Sequence, residues 1–208
     1  MATHHIHPEL PGARPTALQQ AGVDERDLRM GEVRLRELAG AALARLRFFE
    51  APSAADCPLP DLPLRTGGCG GADPVFLCLG PGEWLALSEH RSPGTLSEAL
   101  RPATDGGRAV ACDLSDGLAV FRLSGGAAPW LLAKLSCLDF VNGQHGGEHC
   151  ARTRMADIAV TVRYHRADGD GWVFDLIADR STASYLWRLL RACAPHANQL
   201  KATRGTAP

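Results

Sequence analysis

From Val110 to Leu190 the apolar residues switch between two spacings, and this succession restricts the fold more than any other feature of the chain. Val110–Leu114 and Leu118–Leu123 are short β-compatible runs parted by Ser115-Asp116-Gly117, which is turn chemistry. Ser124-Gly125-Gly126 closes the second run and opens a helix over Ala127–Leu135, with Trp130, Leu131 and Lys134 at helical spacing. Ile158, Val160, Val162 and Tyr164 then alternate with Thr161 and Arg163, the pattern of a strand buried on one face. Asp168-Gly-Asp-Gly171 reads as a hairpin turn into a second strand, Trp172–Ala178. Ser181 is placed to cap a last helix through Cys193, whose stripe is Tyr185, Leu186, Leu189 and Leu190; Pro195 is expected to end it. Strand, helix, strand, strand, helix is a ferredoxin-like order. It predicts an α+β fold, with helices packed on mixed, largely antiparallel sheets.

The N-terminal half carries weaker signals. Val33–Leu35 and Leu43–Phe48 alternate as strands do, although a helix through Leu35–Leu46 also fits. Val75–Leu79, the turn Gly80-Pro81-Gly82 and Glu83–Leu87 predict a hairpin, and Thr95–Leu100 a short helix. Between them, Ala51–Asp73 holds Pro52, Pro58, Pro60, Pro63 and four glycines around Cys69, which predicts a long, flexible surface loop. Residues 1–30, broken by Pro8, Pro11 and Pro15, read as an N-terminal arm. Residues 31–194 read as one domain, and residues 195–208 as a loose tail.

A chain of 208 residues is long enough for one substantial core. Its formal charge of -1 argues against a broad nucleic-acid footprint, and no apolar run reaches the length that spans a bilayer. Met1–Pro15 lacks the apolar stretch of a secretory signal. The seven cysteines are odd in number and form no Cys-x-x-Cys pair, which suits a reducing cytoplasm. Cys78, Cys112 and Cys193 lie in apolar stretches, where a thiol acts as a small hydrophobe.

Few motifs carry chemistry. His145-Gly-Gly-Glu148-His149 matches the His-x-x-Glu-His pattern of zinc peptidases, but its interior glycines each cost a helix about 1 kcal/mol relative to alanine. A rigid pair of metal-binding imidazoles is therefore not expected, and the segment reads as a polar loop with no metal. The glycines at 67–71 lack the Lys-Ser/Thr of a phosphate loop. Ser115 and Ser124 have no identifiable base, so no catalytic residue is assigned. Trp84, Trp130, Trp172 and Trp187 fit packing better than ligand stacking. Asp113, Asp116, Asp157, Asp175 and Asp179 each fit a solvated face or a turn, although a carboxylate at a strand end is also able to grip an amine or a pteridine ring.

Read together, separated runs bring out a family. Cys112-Asp-Leu-Ser-Asp-Gly-Leu-Ala-Val-Phe-Arg-Leu-Ser-Gly125 followed by Trp130–Lys134 resembles the entry to a folate-binding module of the glycine-cleavage T-protein type. Gly147–Ala156, Phe174–Ser181 and Tyr185–Leu190 continue the likeness, and Leu79-Gly-Pro-Gly-Glu-Trp-Leu-Ala-Leu87 matches a Leu-Gly-Pro-x-Glu-Trp-Leu pattern. Within that superfamily the chain most resembles the gamma subunit of heterotetrameric sarcosine oxidase, over about Val33 to Leu190.

The resemblance implies a non-catalytic subunit that acts as a scaffold for alpha, beta and delta partners. Their complex oxidatively demethylates sarcosine or a related N-methyl amino acid, using FAD, FMN, NAD and tetrahydrofolate bound outside this chain. Where the folate enzymes carry an acidic pair, this chain has Met155-Ala156-Asp157, so only Asp157 stands in for it. Asp179 and Arg180 replace the small polar residues of a segment that lies near the ligand in those enzymes. These three residues are the expected remnant of a folate pocket. The competing expectations are a stand-alone, aminomethyltransferase-like folate protein using Asp157, and a loop metal protein using His145 and His149.

Overall fold

The structure is a computed structural model that describes residues 15–139, 148–165 and 172–204. The turn expected at 168–171 lies outside these residues, as do His145, Gly146 and Gly147. In chain order the elements are α1 (Ala17–Gln20), β1 (Asp27–Met30), β2 (Val33–Glu37), β3 (Ala42–Phe48), β4 (Cys69–Gly70), β5 (Val75–Gly80) and β6 (Glu83–Ser88). They continue with α2 (Thr95–Leu100), β7 (Ala109–Asp113), β8 (Leu118–Gly125), α3 (Ala128–Leu135), β9 (His149–Met155), β10 (Ile158–His165), β11 (Trp172–Asp179) and α4 (Ala183–Arg204).

The strands form two sheets in which every pairing is antiparallel. The first is six-stranded, in the order β1-β2-β8-β11-β10-β9, and the second is five-stranded, β4-β5-β6-β3-β7. Period-two alternation decides what each face covers. In the first sheet Phe121, Leu123, Val160, Val162, Phe174 and Leu176 face α3 and α4 and meet Leu131, Leu186, Trp187 and Leu190. Phe121 and Trp187 pack with ring centroids 5.6 Å apart. In the second sheet Phe48, Trp84 and Ala86 cover α2 through Leu96 and Leu100. The Trp84 indole donates to the Pro63 carbonyl at 2.7 Å, which satisfies its one polar atom.

The two sheets also pack on each other. Leu43, Val75, Leu77, Leu85 and Leu87 of the second meet Val120, Cys150 and Ile177 of the first. Strands buried on both faces explain why β5 and β6 read as continuous apolar runs. Among the described residues no helix is long and apolar enough to cross a membrane.

The α+β organisation and the largely antiparallel pairing stand as read from sequence; several details differ. An extra strand, β9, precedes β10, so the C-terminal half runs strand, helix, three strands, helix. Its residues His149-Cys-Ala-Arg-Thr-Arg-Met155 put Cys150 and Met155 in buried positions and Arg152 and Arg154 in exposed ones, too weak a pattern to read alone. The segment expected to be an arm joins the domain from residue 15 onward. Thr16 caps α1 in a capping box, Leu18 is fully buried, and β1 pairs with β2.

The final helix does not stop at Pro195 but continues to Arg204. Tertiary contacts outweigh the proline there: Ala194 and Ala197 are buried in the core, and the Asn198 side chain donates to the Met30 carbonyl at 2.9 Å and accepts from the Glu32 amide at 3.0 Å. The glycine-rich stretch is not a flexible linker. Leu62 is buried, and a Cβ at Gly70 would collide with the Asp61 carbonyl oxygen, so the backbone is closely packed. Cys112 is exposed, unlike the small core hydrophobe its apolar neighbourhood suggests, because it lies on the edge strand β7.

Among the described residues, one that is not glycine holds a left-handed backbone. Ala156, in the turn between β9 and β10, has φ 50°, a left-handed conformation that costs a residue with a Cβ about 1 kcal/mol or more. Ala156→Gly is therefore expected to stabilise the protein by up to about 1 kcal/mol, or about 2–4 °C in thermal midpoint for a chain of this size. Calorimetry checks it, and an unchanged or lower midpoint would show that the turn carries no strain.

Candidate functional site

On the face of the first sheet turned away from α3 and α4, strand register lines up one side chain from every strand. Asp27 of β1 pairs with Arg36 of β2, Arg36 with Arg122 of β8, and Arg122 with Asp175 of β11. The row continues through Arg163 of β10 to Cys150 of β9. The helix-facing apolar residues occupy the intervening positions, so alternation alone forces these side chains onto one surface. Two members of the row, Arg163 and Asp175, are charged and buried.

Asp175 is its centre and is fully buried. Arg122 grips it with two parallel bonds, Nε to Oδ1 at 2.8 Å and Nη2 to Oδ2 at 3.1 Å. Arg163 approaches Oδ2 with Nη1 at 3.4 Å, and His165 Nε2 shares the same oxygen. The arginines reach outward to rim carboxylates: Arg122 to Glu89 at 2.6 Å and Arg163 to Glu148 at 3.0 Å. Burial opposes ionisation of Asp175. Hydrogen bonds from His165 and Arg122, with the guanidinium charge of Arg122, outweigh it and hold the carboxyl below the usual carboxylate range. Burial likewise opposes charge on Arg122, but Asp175 and Glu89 overcome this and raise its pKa. The Nε of Arg163 is buried with no hydrogen-bond partner.

Chemically, this arrangement holds more than it reacts. Both oxygens of Asp175 are engaged by cationic or imidazole donors, which suits a fixed counter-ion that locks the three neighbouring strands β8, β11 and β10 in register. Asp175 was expected on a solvated face or in a turn. It is buried because its strand lies at the middle of the sheet, between β8 and β10, where flanking side chains close over it.

At the outer end of the row the thiol of Cys150 is within hydrogen-bonding reach of Cys69 from the second sheet. The Cys69 hydrogen bond lowers the Cys150 pKa against the effect of burial, helped by Arg152 and Arg163, while the same bond and burial raise Cys69.

The residues singled out from sequence lie elsewhere. Asp157 is exposed in the β9–β10 turn, where its backbone carbonyl accepts from Arg154 at 2.8 Å. Asp179 ends β11 and caps the following 3-10 turn, accepting from the Ser181 amide at 2.8 Å and hydroxyl at 2.5 Å. Those bonds lower its pKa. Arg180 donates to the Gln20 side chain at 3.2 Å and to the Pro15 carbonyl, anchoring the start of the described chain. Among the described residues no hydrogen bond or ion pair joins these three to one another. Of the metal-like motif, Glu148 pairs with Arg163, and His149 opens a strand with its ring 5.2 Å from that of Tyr164. Among the described residues no group of three or more His, Cys, Asp or Glu is placed to hold a metal ion. Trp84 and Trp187 pack in the core as expected, while Trp130 and Trp172 are half-buried at its margin.

No protein-family model matches the sequence, and no curated protein matches it. By structure the chain is similar to a chain of heterotetrameric sarcosine oxidase from Corynebacterium sp. U-96, in complex with pyrrole 2-carboxylate. The TM-score is 0.71 at 23% identity, covering 88% of this chain and 96% of that one. It is also similar to glycine cleavage system aminomethyltransferase T from Bartonella henselae. That TM-score is 0.51 at 12% identity, covering 75% of this chain and 44% of the other. The fold is thus T-protein-like, in agreement with the resemblance drawn from the sequence motifs.

If the charged row sets strand register, Asp175→Asn should cost about 3–5 kcal/mol at neutral pH, because it leaves Arg122 and Arg163 without their buried counter-ion. The folded pKa of Asp175 is depressed, so its contribution is present above the unfolded value of about 3.9 and lost as pH falls through the folded value. The stability gap between wild type and Asp175→Asn should therefore narrow in urea titrations taken below about pH 4. A gap that stays constant with pH would mean that the carboxylate charge contributes nothing.

Proposed function

We propose that this protein is a non-catalytic, gamma-like subunit of a sarcosine oxidase-type flavoenzyme complex that oxidatively demethylates sarcosine or a related N-methyl amino acid. The observation that carries the proposal is the fold likeness to a chain of a heterotetrameric sarcosine oxidase, which runs through 96% of that chain at TM-score 0.71. The ordered sequence motifs point the same way. The charged row supports a scaffold role, since Arg122, Asp175 and Arg163 are occupied with one another and serve rigidity. In this reading alpha, beta and delta partners hold FAD, FMN, NAD and tetrahydrofolate, and the complex works in the cytoplasm. Asp157, Asp179 and Arg180 are then the remnant of an ancestral folate pocket, with Asp179 and Arg180 now serving local turns and anchors.

The test is co-expression with the large flavin-binding subunits of such a complex. The chain should co-purify with them in fixed stoichiometry, and the assembly should oxidise sarcosine while the isolated chain does not. If the chain elutes alone and binds tetrahydrofolate with an affinity lost in Asp157→Ala, the stand-alone aminomethyltransferase-like reading takes its place.

A further inference from the structure

The thiol pair between the two sheets has no part in the assembly role above. Cys69 and Cys150 are brought together by backbone pairing between the sheets: Gly68 bridges His149, and the Cys150 amide donates to the Gly67 carbonyl at 2.8 Å. In an antiparallel bridge of that register, residues 69 and 150 are diagonal neighbours on one face. Both side chains lie in the inter-sheet core, Cys150 buried and Cys69 only partly so. The Cys150 thiol also lies 3.6 Å from the carbonyl oxygens of Gly68 and Cys78. Cys78, the nearest competitor, is in register with Trp84 and faces the opposite side of its sheet, toward α2. The guanidiniums of Arg152 and Arg163 act on Cys150, favouring its thiolate, and Arg163 is the member of the charged row paired with it.

We propose that Cys69 and Cys150 form a site of reversible thiol oxidation, a peroxide-driven disulfide that staples the five-stranded sheet to the six-stranded one. The Cys150 thiolate attacks one oxygen of hydrogen peroxide, the O–O bond breaks, and the departing hydroxide takes up the proton that Cys150 released, leaving water and a sulfenic acid. The Cys69 sulfur then attacks the Cys150 sulfur, the S–O bond breaks, and the Cys69 proton leaves with the hydroxyl as a second water. Two thiols are oxidised to one disulfide and one peroxide is reduced to two waters. Peroxide is small enough to enter by the partly open Cys69 side. The oxidised form joins strands remote in sequence, which restricts the unfolded chain and favours the folded one.

The experiment treats the full chain with stoichiometric hydrogen peroxide, alkylates remaining thiols under denaturing conditions and maps the peptides. The expected product is a Cys69–Cys150 linked peptide, removed by dithiothreitol, with a thermal midpoint several degrees above that of the reduced protein. Cys69→Ser, at the less buried position, should abolish the linked peptide and leave Cys150 as a sulfenic acid captured by dimedone. Recovery of Cys69 and Cys150 as alkylated thiols while the exposed Cys112 and Cys137 are oxidised would overturn the proposal. So would a Cys69→Ser variant that folds but yields no dimedone adduct at Cys150.

Discussion

A carboxylate with no access to water organises the centre of this protein. Asp175 lies on a middle strand of the six-stranded sheet, and its charge is tolerable there only because Arg122, Arg163 and His165 converge on it from the strands at either side. A slip of one residue between β8 and β11 would turn Arg122 toward α3 and α4 and strand Asp175 among apolar side chains. The ion cluster therefore selects one register. Hydrophobic contacts supply most of the stabilisation but discriminate less sharply between registers.

That selection matters because the apolar pattern is permissive. Strands β5 and β6 are buried on both faces, so their sequences would bury comparable area in either orientation. Polar fixtures at the margins resolve the ambiguity in the second sheet. Glu83 collects Arg45 at 2.9 Å and Arg152 at 2.6 Å, tying β3, β6 and the edge strand β9 of the other sheet together. The Trp84 indole is fixed by the Pro63 carbonyl, which brings the proline-rich stretch onto the core.

Much of this architecture was legible in the sequence wherever a single segment carried its own signal. The alternation in Ile158–Tyr164 placed Val160 and Val162 on the helix side and Arg163 opposite them, as observed. The hairpin at Gly80–Gly82 and the tryptophan cores at 84 and 187 were equally local. What escaped depends on partners distant along the chain. Asp175 looks like any strand aspartate until Arg122 and Arg163 are set beside it. Pro195 looks like a stop until Asn198 is seen holding the β1–β2 turn. Cys69 and Cys150 acquire meaning only when two sheets meet. The candidate site is therefore less legible than the fold: Asp157, Asp179 and Arg180 follow from a family pattern, whereas the charged row arises from register.

The six-stranded sheet is also discontinuous in sequence. Its strands β1 and β2 precede the whole five-stranded sheet, yet β2 must pair with β8, which follows it. The five-stranded sheet is built from one uninterrupted stretch, β3 to β7, and can assemble from nearer neighbours. Closing β2 onto β8 costs loop entropy that falls sharply once the intervening chain is already compact. A smaller sheet that forms early would bring β2 and β8 within reach of each other, whereas the buried ion cluster, whose members all lie on β8, β10 and β11, closes without that long-range pairing.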